Sequence, residues 1–221
     1  MSMKADLILF DLDGTLTDSA PGITRSVQYA LTYMGKPQYS QEELNSFVGP
    51  PLYRQFMDFA GFTLEEAERA VAKYRERYST IGLYENEVYP GIPELLAYLK
   101  GAGKILGVAS SKPQVFVKEI LQHFQLDPWF DVVVGAELDG SRINKEDVVE
   151  EALRIGGYQE HRGQVILVGD RRHDALGAQK CGITCIGVSY GYGGRQELEE
   201  AGADRIVDTV EELRMLAGEN L

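Results

Sequence analysis

Short apolar runs return along the chain at intervals that a helix would fill. Leu7-Ile8-Leu9-Phe10 is apolar without alternation, the pattern of a strand covered on both faces. Similar runs follow at Ile105–Ala109, Val132–Val134, Val165–Val168, Ile183–Val188 and, more weakly, Arg205–Val207. The segments between them carry helix punctuation. Pro93–Lys100 opens on proline and stops at Gly101, and Pro113–Phe124 also opens on proline. Glu146–Ile155 stops at Gly156, and Ala175–Lys180 stops before Gly182. This strand–helix–strand repetition predicts an α/β fold, a doubly wound parallel sheet with helices on both faces.

One stretch, from about Leu16 to Val88, breaks the rhythm and contains no convincing strand. Pro21–Met34 spaces Ile23, Val27, Ala30, Leu31 and Met34 as one helical face before Gly35 and Pro37. Ser40-Gln-Glu-Glu43 and Thr63-Leu-Glu-Glu66 have the form of capping boxes that start two more helices. Gly49-Pro50-Pro51 is a rigid turn leading into a helix over Leu52–Phe59. Lys73, Arg75 and Arg77 alternate with Glu76 and are expected to face solvent. The pattern predicts an all-helical domain over residues 17–87, inserted into an α/β core made of residues 1–16 and 88–221.

Composition narrows the class without changing the fold. The chain has 221 residues, 44% hydrophobic and 25% charged, which is ordinary for a globular protein. The net charge of −12 argues against a nucleic acid polymer as partner. No apolar run approaches the ~18 residues that span a bilayer. Leu7–Phe10 meets Asp11 at once, too short for the core of a signal peptide. Cys181 and Cys185 have no His or Cys neighbours at zinc-ligand spacing, so they are expected to be buried reduced thiols. The expectation is a cytoplasmic protein, monomer or homodimer, that does not bind membranes.

In open α/β sheets ligands gather beyond the carboxyl ends of the strands. The first run is followed there by Asp11-Leu12-Asp13-Gly14-Thr15, the second by Ser110-Ser111-Lys112, and the Val165–Val168 run by Gly169-Asp170, with Asp174 four residues on. Asp11 and Asp13 are two apart, so an extended backbone would point both carboxylates to one side. Such a pair needs a proton or cation between its charges. Gly14 would permit a sharp turn after them. An oxygen-only ligand set facing a phosphate suggests Mg²⁺ rather than zinc. Asn144 has the position of an N-cap, which puts Lys145 in the first turn of a helix, against the helix dipole.

Asp-Leu-Asp-Gly-Thr-Leu, Ser110, Lys145 and Gly-Asp-x-x-x-Asp, in that order, resemble the four motifs of the haloacid dehalogenase superfamily. The helical insertion after the first motif resembles that superfamily's type-1 cap on a Rossmann-like core. Asp18-Ser19-Ala20-Pro21 and Val108–Pro113 resemble its phosphoglycolate phosphatase branch. The resemblance implies that Asp11 is the nucleophile and Asp13 the general acid and base. It also implies that Ser110 and Lys145 hold the transferring phosphoryl group. Mg²⁺ would be held by Asp11, Asp170 and the main-chain carbonyl of Asp13, with Asp174 in support. Ser111 competes with Ser110 for the hydroxyl position and is kept as a substrate-binding candidate. Glu146 stands where the family often has proline after the lysine.

The implied activity is Mg²⁺-dependent hydrolysis of a small phosphorylated metabolite, as in phosphoglycolate phosphatases or 5′-nucleotidases. A phosphosugar mutase would share every core residue. A receiver-like phospho-acceptor domain would need neither Asp13 nor the insertion. Arg25 and Arg54, in the insertion, are candidates for gripping the leaving group. Arg171, Arg172 and His173 depart from the usual fourth motif; similar sequences include some tied to nucleoside 5′-monophosphate hydrolysis. Gly187–Gly194, rich in Gly and Tyr, is expected to be a loop rather than a phosphate cradle, since it lacks a G-x-G-x-x-G pattern.

Overall fold

A computed structural model describes residues 5–139 and 141–220. It divides into two units, one of Met1–Thr17 and Val88–Leu221, the other of Asp18–Glu87. The first unit is built on strand β1 (Leu7–Phe10), all four residues of which are buried. Around it lie β4 (Ile105–Pro113), β5 (Val132–Ala136), β6 (Val165–Gly169), β7 (Thr184–Val188) and β8 (Arg205–Val207), in the order β5-β4-β1-β6-β7-β8. Every pairing is parallel. The expected doubly wound sheet is therefore present.

Alternation along the strands divides the apolar residues between two layers. Leu7, Leu9, Val132, Val134, Val165 and Leu167 pack in one core with Val148, Val149, Ala152 and Leu153 of helix α7 (Lys145–Gly156). Ala175 and Ala178 of α8 (Arg172–Cys181) belong to the same core. The other sheet face presents Ile8, Phe10, Leu106, Val108, Ile166 and Val168, equally buried. Helices α5 (Ile92–Gly101) and α6 (Gln114–His123) pack against the β4 end of the sheet. Right-handed crossovers put helices of opposite travel on opposite faces. Cys181 and Cys185 are buried and unbridged, and burial pushes the Cys181 thiol up to about 12.

The second unit is helical: α1 (Ala20–Tyr33), α2 (Gln41–Leu44), α3 (Leu52–Ala60) and α4 (Leu64–Tyr78). Both expected capping boxes form, with Ser40 accepting from the Glu43 N–H and Thr63 from the Glu66 N–H, each at 3.3 Å. The interior is aromatic: Phe47 meets Phe56 at 5.0 Å and Phe59 at 5.3 Å between ring centroids. Two details correct the sequence reading. The chain crossings are not wholly helical or coil, because β2 (Thr17–Asp18) and β3 (Glu87–Val88) pair as a two-stranded ribbon. Two-residue strands are below the length at which alternation is readable. Arg77, expected in solvent, turns inward and forks onto Glu85 at 2.8 and 3.1 Å while donating to Ser26.

Gly22 marks the tightest approach inside the helical unit. A Cβ there would lie 1.9 Å from the carbonyl oxygen of Gly82, and the Gly22 N–H donates to Glu85 O at 3.0 Å. No rotamer change relieves an overlap with backbone. Gly22→Ala should therefore destabilise the protein by roughly 1–3 kcal/mol despite alanine's better helix propensity. Gly101→Ala, in a helix with open space around the site, should be neutral or slightly stabilising. Urea unfolding midpoints of the two variants check this.

Candidate active site

The strand order reverses direction at β1: the chain moves from β1 outward through β4 and β5, then returns to the other side for β6, β7 and β8. A crevice opens at such a point because neighbouring crossovers leave in opposite directions. The three strands that meet there, β4, β1 and β6, are the ones whose carboxyl ends carry Ser110–Lys112, Asp11–Thr15 and Asp170.

Asp11 follows β1 directly, its N–H bonded to Val168 O of β6 at 2.9 Å. The backbone then turns, with the Leu16 and Thr17 N–H groups both donating to Leu12 O. Gly14 makes the turn at φ +80, and its missing side chain matters: a Cβ would lie 2.2 Å from Asp170 Oδ2. The Asp11 and Asp13 carboxylates have different ion-pair partners. Each has its own lysine.

Lys145, at the first position of α7, reaches Asp174 Oδ1 at 2.7 Å and Asp11 Oδ1 at 3.1 Å, and donates to Ala109 O at 3.0 Å. It is 4% exposed. Burial opposes its charge, but the Asp11 and Asp174 carboxylates outweigh burial and hold the ammonium protonated beyond its ordinary range. Asn144 occupies the N-cap position without capping; its side chain donates to Asp147 instead. Asp174 Oδ2 accepts from the Arg171 N–H at 3.0 Å, tying the start of α8 to the same cluster.

Asp170 accepts from the Tyr192 N–H at 2.7 Å and from the Thr15 hydroxyl at 3.4 Å. Burial, then the charges of Asp174 and Asp11, push its carboxyl well above the usual carboxylate range. Asp174 is raised too, chiefly by burial. One oxygen each of Asp11, Asp170 and Asp174 falls in a group whose members lie within 4.8 Å of one another. Three buried carboxylates against one ammonium leave a charge deficit of the kind a divalent cation fills, and all donors are oxygen. The Asp13 carboxylate lies outside that group.

Other residues complete the surroundings, and the pairing of Lys112 with Asp13 was not foreseen from the sequence. Lys112 Nζ lies 2.7 Å from Asp13 Oδ2, both side chains nearly buried. Ser110, buried, accepts the Lys112 N–H at 3.3 Å, while Ser111 is half-buried beside it. Of Gly187–Gly194, expected to be a loop, Gly187 and Val188 end β7 and Gly194 starts a helix; residues 189–193 form the loop, and it touches the site. The Tyr190 hydroxyl donates to Thr15 O at 2.9 Å, and a Cβ on Gly191 would lie 2.4 Å from both Asp170 Oδ2 and Gly14 O. Arg171 pairs with Glu197 at 2.9 Å, and Arg172 and His173 are exposed. In the helical unit Arg25 is bonded to Glu85 at 2.9 Å, and Arg54 is exposed on α3.

Residues 8–188 match the sequence profile of haloacid dehalogenase-like hydrolases. The chain belongs to that family. A 5′-nucleotidase of Pseudomonas aeruginosa is 50% identical over 192 residues, 86% of either chain. The tyrosine-protein kinase PtkA of Mycobacterium tuberculosis is 39% identical over 96% of this chain and 72% of its own. A phosphoglycolate phosphatase of P. aeruginosa is 28% identical over 94% and 78%. The crystal structure of a predicted phosphatase from Clostridium acetobutylicum superposes with a TM-score of 0.94 at 46% identity, covering 97% of this chain and 99% of that one. This haloacid dehalogenase-like hydrolase is thus an enzyme with phosphatase relatives, and among its described residues no helix is long and apolar enough to cross a membrane.

The strained charge of Asp170 has a measurable consequence in metal-free protein. Its folded pKa lies above the unfolded value near 3.8, so the native state binds the proton more tightly. That contribution to stability is fully present below about pH 4 and is lost as pH rises through the raised value. In EDTA, Asp170→Asn should therefore unfold at a higher temperature than wild type at pH 8, by ~2–4 °C for each kcal/mol of relieved strain. The gap should shrink toward pH 4. Thermal unfolding followed by circular dichroism tests both parts.

Proposed function

We propose that the enzyme hydrolyses a small phosphomonoester, with Mg²⁺, through a phosphoryl-aspartate on Asp11. The observation that carries this reading is the division of the two acids of Asp-Leu-Asp between two lysines. Asp11 stands beside Lys145 and the carboxylate cluster, where an anionic phosphoryl group and its counter-ion would sit. Asp13 stands apart on Lys112. Two carboxylates in different surroundings suit two different tasks.

Asp11 Oδ1 takes both the Lys145 ammonium and the Leu12 N–H, which leaves Oδ2 to attack phosphorus. As that bond forms, the bond to the leaving oxygen breaks, and Asp13 delivers a proton to it. Asp13, now a carboxylate, takes a proton from a water that attacks the phosphoryl-aspartate. Inorganic phosphate leaves and Asp11 is regenerated, with Asp13 protonated again. Lys145 neutralises the equatorial oxygens in both steps, and the Ser110 hydroxyl donates to them. Asp11, Asp170 and the Asp13 carbonyl would hold Mg²⁺, with Asp174, fixed between Lys145 and the Arg171 N–H, supporting them. When bound, the ion withdraws charge from the phosphoryl oxygens so that an anionic nucleophile can approach.

Nucleoside 5′-monophosphates are the first substrates to test, because the 5′-nucleotidase is the relative with the higher identity, ahead of the phosphoglycolate phosphatase. Arg54 is the better of the two cap candidates for reading the leaving group, since Glu85 engages Arg25. Arg54→Ala should change kcat/KM unequally across a nucleoside monophosphate, phosphoglycolate and p-nitrophenyl phosphate, with the least change for the last. Ser111 is the adjoining polar group on the core.

Asp11→Asn should lower kcat about 10³-fold or more. Wild type quenched in acid during turnover of a ³²P-labelled substrate should retain label on the protein, and the variant should not. EDTA should abolish release of phosphate and Mg²⁺ restore it. Full activity after exhaustive chelation, or equal labelling of the variant, would exclude this mechanism.

A further inference from the structure

Asp13 and Lys112 meet because both follow the paired stretch of two neighbouring parallel strands. β1 and β4 pair as far as Phe10 and Val108, so the residues just past that pairing emerge together. The register of β4 against β5 then shifts between Ala109 and Pro113, an irregularity of the kind that re-aims side chains. The Ser110 hydroxyl accepts the Lys112 N–H and fixes the backbone of that irregular stretch. Lys112 Nζ arrives 2.7 Å from Asp13 Oδ2, with side-chain exposures of 5% and 8%. Asp13 Oδ1 is buried with no hydrogen-bond partner among the described residues. The two oxygens of one carboxylate are therefore inequivalent: one is anchored, the other is bare.

We propose that Lys112 is a positioning residue that holds Asp13 by Oδ2 and so presents Oδ1 as the oxygen that passes the proton to and from the reacting group. This rests on the acid–base reading of Asp13 above. The lysine acts on the orientation of the carboxylate and does not hold the substrate. Its loss should hurt reactions that need a proton delivered in line, and spare those that do not.

The test compares Lys112→Met and Lys112→Arg on a nucleoside 5′-monophosphate and on p-nitrophenyl phosphate, whose leaving group needs little protonation. The comparison uses kcat/KM, which reports transfer onto Asp11, with Asp13→Asn measured alongside. Lys112→Met should lose about 100-fold on the alkyl ester and under 10-fold on the aryl ester, with KM for both within 3-fold of wild type. Lys112→Arg should recover part of the alkyl loss, and Lys112→Met should add nothing to the selectivity of Asp13→Asn. Equal losses on both esters, or a rise in KM alone, would overturn the proposal in favour of a structural or phosphate-binding lysine. If Lys112→Met does not fold, the Arg variant decides: wild-type selectivity with reduced alkyl turnover supports nothing but overpacking and overturns it, whereas a shift toward the aryl ester upholds it. If Asp13→Asn itself shows no leaving-group preference, the acid–base reading fails first and this proposal with it.

Discussion

Asp11, Asp170, Asp174 and Lys145 share a volume that water barely reaches, at 6%, 0%, 0% and 4% exposure. Three negative charges against one positive are costly in such a place, and removing one partner of a buried pair typically costs ~3–5 kcal/mol. The rest of the core unit is arranged around tolerating that cost. β1 and β6 are buried on both faces, which fixes the strand ends that carry Asp11 and Asp170. Helix α7 starts on Lys145, and α8 starts where Asp174 takes the Arg171 N–H, so two helix origins converge on the cluster. The loop after β7 closes over Asp170 with backbone, because Gly14 and Gly191 leave no side chain in the way. Stability and reactivity here oppose each other, a tension common where charge is concentrated for chemistry.

The same concentration of charge bears on the varied names of the relatives. A 5′-nucleotidase, a phosphoglycolate phosphatase and a tyrosine-protein kinase all resemble this chain over most of its length. Handling a phosphoryl group is what those three names have in common. Arg54, Arg172 and His173 all stand at exposed positions.

Much of this was legible in the sequence, for local reasons. Runs such as Leu7–Phe10 announce strands buried on both faces, and Ser40 and Thr63 announce helix starts through spacing alone. The acids at strand ends followed from the general geometry of open sheets. What stayed hidden depends on residues far apart in the chain. Lys112 meets Asp13 across 99 positions, and Tyr192 meets Asp170 across 22, with no periodicity to reveal either pairing. Arg77 looked like one more surface cation, because its partner Glu85 lies beyond the helix that carries it. The Asp-x-Asp spacing misled for a different reason: it assumes extended backbone, and the chain turns at Leu12.

The ribbon of Thr17–Asp18 with Glu87–Val88 has a consequence for how such a protein can change over time. The excursion of about seventy residues leaves and re-enters the core at adjacent points, and Tyr89 is bonded back to Leu16 at 3.1 Å. Closing a loop depends only weakly on its length once the ends are held together. Loop closure therefore sets little limit on the length of the excursion. A module that is larger, smaller or differently folded could enter at the same junction at little cost in loop closure. Core and excursion can then change in sequence on separate pieces of chain.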